Sequence, residues 1–177
     1  MSMLGHNVLN QVVNDDETTS PAQALTAINQ KVLNTYRKDD DRQQIDGMDI
    51  AMCAINRSKM ELTFSGALRP LWLIRGSEVI AHKGTKTAIG SANGDAFKDI
   101  SMKLEKNDII YLFSDGFPDQ FGGEFGKKLK SSGFRNLLLS ISNLKLKDQK
   151  VKIDAFLKNW MGENEQLDDI CIVGFRI

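Results

Sequence analysis

The spacing of apolar residues changes along the chain and separates helical from extended segments. Residues 1–14 and 21–38 carry apolar side chains at intervals of three and four, which predicts two amphipathic helices. The segment Ser20–Gln23 supplies a capping serine, a proline at the first helical position and a glutamine three residues after the cap, so it marks the start of the second helix. From Gly47 onward the apolar period shortens to two, and this predicts strands.

Five segments between turn residues are predicted strands because apolar and β-branched residues dominate them. They are residues 48–55, 60–65, 71–75, 78–82 and 100–104. Gly76-Ser77 is predicted to be a two-residue hairpin turn. The stretch 84–99 is poor in apolar residues and rich in Gly, Thr, Ser and Asn, which predicts a loop or flap outside the core, at the border of a site.

Ile109–Phe113 is a run of five apolar residues and predicts a strand buried on both faces. Ser114-Asp115-Gly116 follows it directly, so a carboxylate stands at the exit of a core strand, where it needs hydrogen-bond donors or a cation. A hairpin turn is the simpler interpretation of an Asp-Gly pair. A second acidic pair, Asp168-Asp169, opens the apolar run 170–175, which predicts another buried strand.

These two acidic segments would meet if their strands were antiparallel neighbours, because one strand exits where the other enters. Aspartate oxygens favour magnesium, manganese or calcium, whereas zinc would require more Cys and His than the chain provides. An acidic loop that simply leads into a strand is the alternative. Asp119 is either an outer carboxylate of such a site or a solvated turn residue.

Two more helices are predicted, one over 124–142 with a break near Gly133 and one over 148–161 with Val151, Phe156 and Trp160 on its apolar side. The order is helices, a run of strands, helices and a closing strand. This segregation predicts an α+β fold with antiparallel sheets and argues against alternating βαβ units.

Length and charge restrict the classes of function. The 177 residues predict one domain spanning 1–177. Lys plus Arg equal Asp plus Glu at 23 each, so neither nucleic acid nor an anionic membrane is a predicted partner. No apolar run reaches the length of about 20 residues that spans a bilayer, which predicts a cytoplasmic protein without membrane insertion. Cys53 and Cys171 lie in predicted strands and are expected to be buried thiols.

Several segments, in this order and spacing, resemble the metal-dependent protein serine/threonine phosphatases (the PPM, or type 2C, superfamily) in their bacterial stage II sporulation protein E-like branch. They are Gly47–Ala51, Leu62–Ala67, Pro70–Arg75, Ala88–Gly90, Tyr111–Gly116 and Gln166–Ile170. The resemblance covers nearly the whole chain, and the two acidic motifs carry the family's C-terminal metal signatures.

The resemblance implies an α/β/β/α sandwich of two antiparallel sheets flanked by helices. It also implies hydrolysis of phosphoserine or phosphothreonine on a protein substrate in a bacterial signalling pathway, by water that two manganese or magnesium ions activate. The catalytic metal ligands implied are Asp115 and Asp168, and Asp169 joins the metal site.

One departure from the family pattern concerns the N-terminus. The first metal motif, an Asp shortly before Gly-His-Gly, is missing, and Gly5-His6 does not replace it. The helical pattern is already complete at Met1, so we expect an N-terminally truncated catalytic domain that lacks the first strands. We expect His6 to be a structural, partly exposed residue.

This departure predicts that the 177-residue chain has weak activity or none. It also predicts self-association through the truncated sheet edge. Two alternatives to an enzyme stay open: a non-catalytic PPM-like protein-interaction module and a metal-binding structural domain.

Overall fold

The structure, a computed structural model, describes residues 2–14, 20–36, 47–92, 94 and 96–177. In chain order the helices are α1 (Ser2–Val13), α2 (Pro21–Tyr36), α3 (Gly116–Asp119), α4 (Lys130–Ile141) and α5 (Leu146–Met161). The strands are β1 (Ile50–Asn56), β2 (Glu61–Ala67), β3 (Leu71–Arg75), β4 (Glu78–His82), β5 (Ile100–Lys103), β6 (Ile109–Phe113), β7 (Phe121–Gly122), β8 (Lys127–Lys128) and β9 (Ile172–Arg176). No helix among these residues is both long and apolar enough to cross a bilayer.

The chain divides into two compact units. The first comprises the chain up to Leu71 together with His82–Leu104, and the second comprises Trp72–Ala81 and Glu105–Ile177. Helices and antiparallel strands occur in both, so the α+β class predicted from the sequence is confirmed.

In the first unit α2 packs on a sheet of order β1-β2-β5, in which both strand pairs are antiparallel, and α1 packs against α2. The predicted start of α2 is confirmed, because the backbone N–H of Gln23 donates to Ser20 Oγ at 3.3 Å. Leu25, Ile28 and Val32 are fully buried on the inner face of α2, as their spacing predicted. The predicted end of this helix at residue 38 lies outside the described residues.

The loop between β4 and β5 is partly core, so its prediction as a segment outside the core was wrong. Thr87 is 6% exposed and Ile89 is fully buried. Ile89 exchanges backbone hydrogen bonds with Met48 at 2.9 and 3.0 Å, and the side chain of Asn29 on α2 accepts from Gly90 N–H at 2.6 Å. Long-range contacts of this kind hold a segment whose own composition signals only a loop.

The second unit is built on a sheet of order β4-β3-β6-β9. The prediction for β6 is confirmed, since four of its five residues are buried and strands flank it on both sides. The prediction of a buried final strand was wrong, because β9 has only one neighbour among the described strands. Cys171 is exposed and Val173 is 51% exposed, so the thiol of Cys171 is not buried.

The predicted helix over 124–142 was wrong in its first part and had no break. The chain first forms the short antiparallel ribbon β7–β8, whose turn uses positive φ values at Gly123 (+68°) and Gly126 (+55°), and α4 begins only at Lys130. Gly133 lies inside α4. Helix α5 begins at Leu146 and confirms the last predicted helix, but Val151 is 66% exposed and does not face the core.

Candidate functional site

The two acidic segments meet because β6 and β9 are antiparallel neighbours. Phe113, the last residue of β6, lies opposite Ile172, the first residue of β9. Asp115 follows β6, and Asp168 and Asp169 precede β9, so all three acidic residues stand at the same end of one sheet.

The side chain of Ser114 connects the two segments. Its hydroxyl group donates to the carbonyl of Asp169 at 2.8 Å and accepts from the backbone N–H of Cys171 at 2.9 Å. The backbone N–H of Ser114 donates to the carbonyl of Cys171 at 3.0 Å. These bonds fix the backbone beside Asp115 to the backbone of the second acidic segment.

Gly116 allows the two backbones to touch. A Cβ atom at this position would lie 2.5 Å from the carbonyl oxygen of Asp169, well inside contact distance. Any larger residue would therefore push the two acidic segments apart, which gives the glycine of the Asp-Gly pair a steric role rather than a turn role.

Asp115 does not form a hairpin turn, so the simpler interpretation of the Asp-Gly pair was wrong. Its backbone has helical values (φ −77°, ψ −14°), and its carbonyl accepts from Asp119 N–H at 2.9 Å, which starts α3. The rings of Phe113 and Phe117 on either side of it pack against Phe134, with centroid distances of 5.0 and 4.6 Å. A buried aromatic cluster thus fixes the half-buried Asp115 in place.

Asp168 is shaped by bonds within its own segment. Its Oδ1 accepts from the backbone N–H of Asp169 at 2.7 Å, and its carbonyl accepts from Gln166 Nε2 at 2.8 Å. Asp168 and Asp169 are both exposed. Water and solutes therefore reach both residues from solvent.

Asp119 pairs with a cation of the protein. Lys128 Nζ lies 2.9 Å from Asp119 Oδ2, and both side chains are exposed. This ion pair connects α3 to the β7–β8 ribbon at the protein surface. The contact favours the interpretation of Asp119 as a surface residue over that of an outer carboxylate of the site.

Gln120 has a role that the sequence did not indicate. Its side chain is buried, and Nε2 donates to the carbonyls of Glu165 (2.9 Å) and Phe121 (3.1 Å). Glu165 lies 45 residues away in the chain. Because both acceptors belong to the main chain, no side-chain pattern could have identified this contact.

The chemistry of Asp115, Asp168 and Asp169 suits a hard divalent cation, since all three offer carboxylate oxygens. The number of these aspartates and their arrangement are less suited to binding a divalent cation. Over the described ranges, no three His, Cys, Asp or Glu side chains are grouped so that they could hold a metal ion. These residues therefore fit the metal as part of a donor set.

The remaining candidate residues are one histidine, His6, and two cysteines, Cys53 and Cys171. His6 is exposed, and its Nε2 lies 3.0 Å from Asn10 Nδ2, in agreement with a structural residue. Cys53 is half-buried, and burial raises the pKa of its thiol. Cys53 and Cys171 are both free thiols.

Comparison with known proteins shows similarity over the whole chain. The family model described as "Stage II sporulation protein E (SpoIIE)" matches residues 1–177. No curated protein sequence matches.

Among solved structures, the SiaA-PP2C domain of Pseudomonas aeruginosa is 29% identical with a TM-score of 0.90, and the match covers 99% of this chain and 68% of that one. This likeness confirms the predicted PP2C fold. The PP2C phosphatase domain of SpoIIE from Bacillus subtilis, solved with a fragment of its regulatory domain, is 17% identical with a TM-score of 0.67 over 97% of this chain and 49% of that one. The serine/threonine phosphatase of S. agalactiae is 18% identical with a TM-score of 0.65, over 97% and 79%.

Proposed function

We propose that this chain, which belongs to the stage II sporulation protein E (SpoIIE) family, hydrolyses phosphoserine and phosphothreonine on a protein substrate in a bacterial signalling pathway. The observation that supports this most directly is the β6–β9 pairing, because it puts the segment that carries Asp115 and the segment that carries Asp168 and Asp169 at one end of the sheet. In this proposal residues 1–177 act as one phosphatase domain in the cytoplasm, where the free thiols Cys53 and Cys171 would stay reduced.

In this proposal Asp115 and Asp168 are the catalytic residues, because their carboxylates hold manganese or magnesium, two ions in the intact domain. Asp169 belongs to the same site. A pair of such cations would supply Lewis-acid chemistry there, since it would lower the pKa of water so that hydroxide forms near neutral pH and would neutralise the phosphoryl charge. The chain's own contribution is to fix the carboxylates through Ser114 and Gly116.

The test measures Mn²⁺ binding by titration calorimetry and turnover of an aryl phosphate and a phosphoserine peptide at saturating Mn²⁺. Because the described residues provide only part of a donor set, we expect weak binding and slow turnover by the parent chain. Asp115→Asn and Asp168→Asn keep the shape of the side chain but remove its charge, so each should abolish most of both. Asp119→Asn is the control and should change neither, because Asp119 pairs with Lys128.

Thermal melts with and without Mn²⁺ accompany these assays. The Asp115→Asn and Asp168→Asn variants should melt close to the parent temperature without metal, since asparagine keeps the shape of aspartate and one acceptor oxygen. They should also lose the upward shift that Mn²⁺ gives the parent. Parental Mn²⁺ binding and turnover in both variants would overturn the assignment of the ligands.

A non-catalytic interaction module is the second candidate, favoured by the lack of a grouped three-carboxylate set in the described part of the chain. Such a module would bind a phosphoprotein and release it unchanged at saturating Mn²⁺. Hydrolysis that the Asp115→Asn change removes would exclude it.

We also propose self-association through the edge of β9. An open groove of about 620 Å³ is lined in part by this strand, and apolar side chains such as Ile153, Leu157 and Ile172 line it together with charged ones such as Lys150 and Asp154. An edge strand offers unpaired backbone groups to a second copy of the chain, and the groove offers apolar surface to bury with them.

A further inference from the structure

Gln120 bridges the two acidic segments from a buried position. It lies five residues after Asp115, and its Nε2 donates to the carbonyl of Glu165, three residues before Asp168, at 2.9 Å. The same nitrogen donates to the carbonyl of Phe121 at 3.1 Å. Gln120 is only 1% exposed, so water does not compete for these bonds.

The backbone of Gln120 is itself fixed by the end of α5. Its carbonyl accepts from Trp160 Nε1 and from Leu129 N–H, each at 3.0 Å. Gly123 N–H donates to the carbonyl of Trp160 at 2.7 Å, and a Cβ at Gly122 would lie 1.8 Å from that carbonyl oxygen. The amide of Gln120 therefore extends from a rigid junction toward the segment that leads to Asp168.

We propose that Gln120 is a positioning residue, which holds the segment 165–168 at the spacing from Asp115 that a shared divalent cation requires. This inference rests on the proposed function. The geometry calls for a donor with two N–H groups at this position, because Nε2 donates to two main-chain carbonyls, whereas Oε1 is buried and has no hydrogen-bond partner among the described residues. A glutamate of the same size would direct carboxylate oxygens at those carbonyls and repel them, and a methionine would fill the space without donating.

Gln149 provides a matched control in the same unit. It is also 1% exposed, and its Nε2 donates to the carbonyls of Leu144 (3.0 Å) and Ser142 (3.4 Å). Its Oε1 accepts from the hydroxyl group of Tyr111. Gln149→Met thus removes a buried amide that fixes a different loop, and it reports what a purely structural loss does to the protein.

The experiment uses the full 177-residue chain and its Gln120→Met, Gln120→Glu and Gln149→Met variants. Electron paramagnetic resonance of free Mn²⁺ measures metal affinity, and hydrogen–deuterium exchange measures protection of peptides covering 163–170 and 141–146. We expect both Gln120 variants to weaken Mn²⁺ binding about 10-fold or more and to lose protection over 163–170. Gln149→Met should lose protection over 141–146 and keep parental Mn²⁺ affinity.

Trp160→Phe is a second variant in case the Gln120 variants do not fold, because it leaves the Gln120 side chain in place and removes the bond to the Gln120 carbonyl together with part of the ring that packs beside Gly122 and Gly123. It should raise exchange over 163–170 in the same direction. Equal exchange over 163–170 in the Gln120 and Gln149 variants, or parental Mn²⁺ affinity in a folded Gln120 variant, would overturn the inference. If the parent chain binds no Mn²⁺, the metal assignment of the proposed function fails. Loss of protection over 163–170 in the Gln120 variants would then still support Gln120 as the residue that holds this segment, and parental protection there would overturn that role.

Discussion

The hydroxyl oxygen of Ser114 lies 2.9 Å from the backbone nitrogen of Cys171 and accepts its hydrogen bond. A side chain therefore takes the place of a main-chain partner at the point where the β6–β9 ladder ends. The same hydroxyl group donates to the carbonyl of Asp169 at 2.8 Å. The two acidic segments therefore lie next to the point where the Ser114 side chain makes hydrogen bonds between them at this end of the sheet.

Ser114→Ala removes both bonds and leaves Cys171 N–H and the Asp169 carbonyl without this partner. We expect the free energy of unfolding to fall by about 1–2 kcal/mol, measured by urea denaturation. Ser140→Ala is the control, since its exposed hydroxyl group donates to the Leu137 carbonyl within its own helix, α4, and it should change stability by less than about 0.5 kcal/mol. Equal losses in the two variants would contradict a special role for Ser114.

The Arg75–Asp108 ion pair should contribute more to the free energy of unfolding than the exposed Arg75–Glu105 pair. Burial alone would raise the pKa of Asp108, but hydrogen bonds from Arg75 and from Glu105 N–H outweigh it and hold this pKa below the ordinary value. Arg75 bonds both carboxylate oxygens, at 3.0 and 2.7 Å. Asp108→Asn should cost about 1–3 kcal/mol at pH 7. Glu105→Gln breaks a contact of Arg75 to a side chain that is 63% exposed and should cost less than about 1 kcal/mol.

The sign of the pH dependence follows from the lowered pKa of Asp108. The contribution of the pair is fully present above the pKa of an unfolded aspartate, near 4, and is lost as pH falls toward the lowered folded pKa. The stability difference between parent and Asp108→Asn should therefore shrink below about pH 4. Urea midpoints from pH 7 to pH 3 check this, and a constant difference would contradict it.

Tyr111 should affect stability at alkaline pH. Burial raises the pKa of its phenol to about 12, against a smaller opposite effect of Arg176. The unfolded chain ionises this phenol near pH 10, so the stabilising contribution of the neutral phenol is complete below about pH 10 and is lost as pH rises toward 12. Parent stability should fall more steeply than that of Tyr111→Phe between pH 9 and 11.5, measured by urea denaturation. Parallel curves would contradict the raised pKa.

Val173→Lys should weaken self-association, because a lysine on an edge strand opposes pairing with a second sheet. Sedimentation velocity over a range of protein concentrations measures the effect. Val151→Lys is the control, since Val151 is equally apolar and 66% exposed but lies on α5. A parent chain that stays monomeric at every concentration, or equal effects of the two changes, would refute pairing through β9.

The sequence allowed prediction of those elements whose signals are local. The start of α2 follows from Ser20–Gln23, and β6 follows from five consecutive apolar residues. The meeting of the acidic segments followed from one further assumption, that their strands are antiparallel neighbours, and the register of Phe113 with Ile172 agrees with it.

The errors share a physical cause, which is dependence on distant contacts. Cys171 and Val173 are exposed because β9 lies at an edge, and strand order is not written in the apolar pattern of one strand. The ribbon β7–β8 replaced a predicted helix because Gly122 packs against the Trp160 carbonyl. The role of Gln120 was not predicted for the same reason, since its side chain donates to the main-chain carbonyl of the distant Glu165.

The interleaving of the two units in the chain has a consequence for folding during synthesis. β3 and β4 belong to the second unit, yet the segment after them completes the first unit with β5. Trp72 and Ile74 on β3 therefore cannot pack against β6 until roughly forty more residues have been synthesised. Their synthesis takes about 2–8 s at ribosomal rates of about 5–20 residues per second. We expect the first unit to fold while these side chains are still uncovered, and the second to close only after β9, at the C-terminal end of this chain, has left the ribosome.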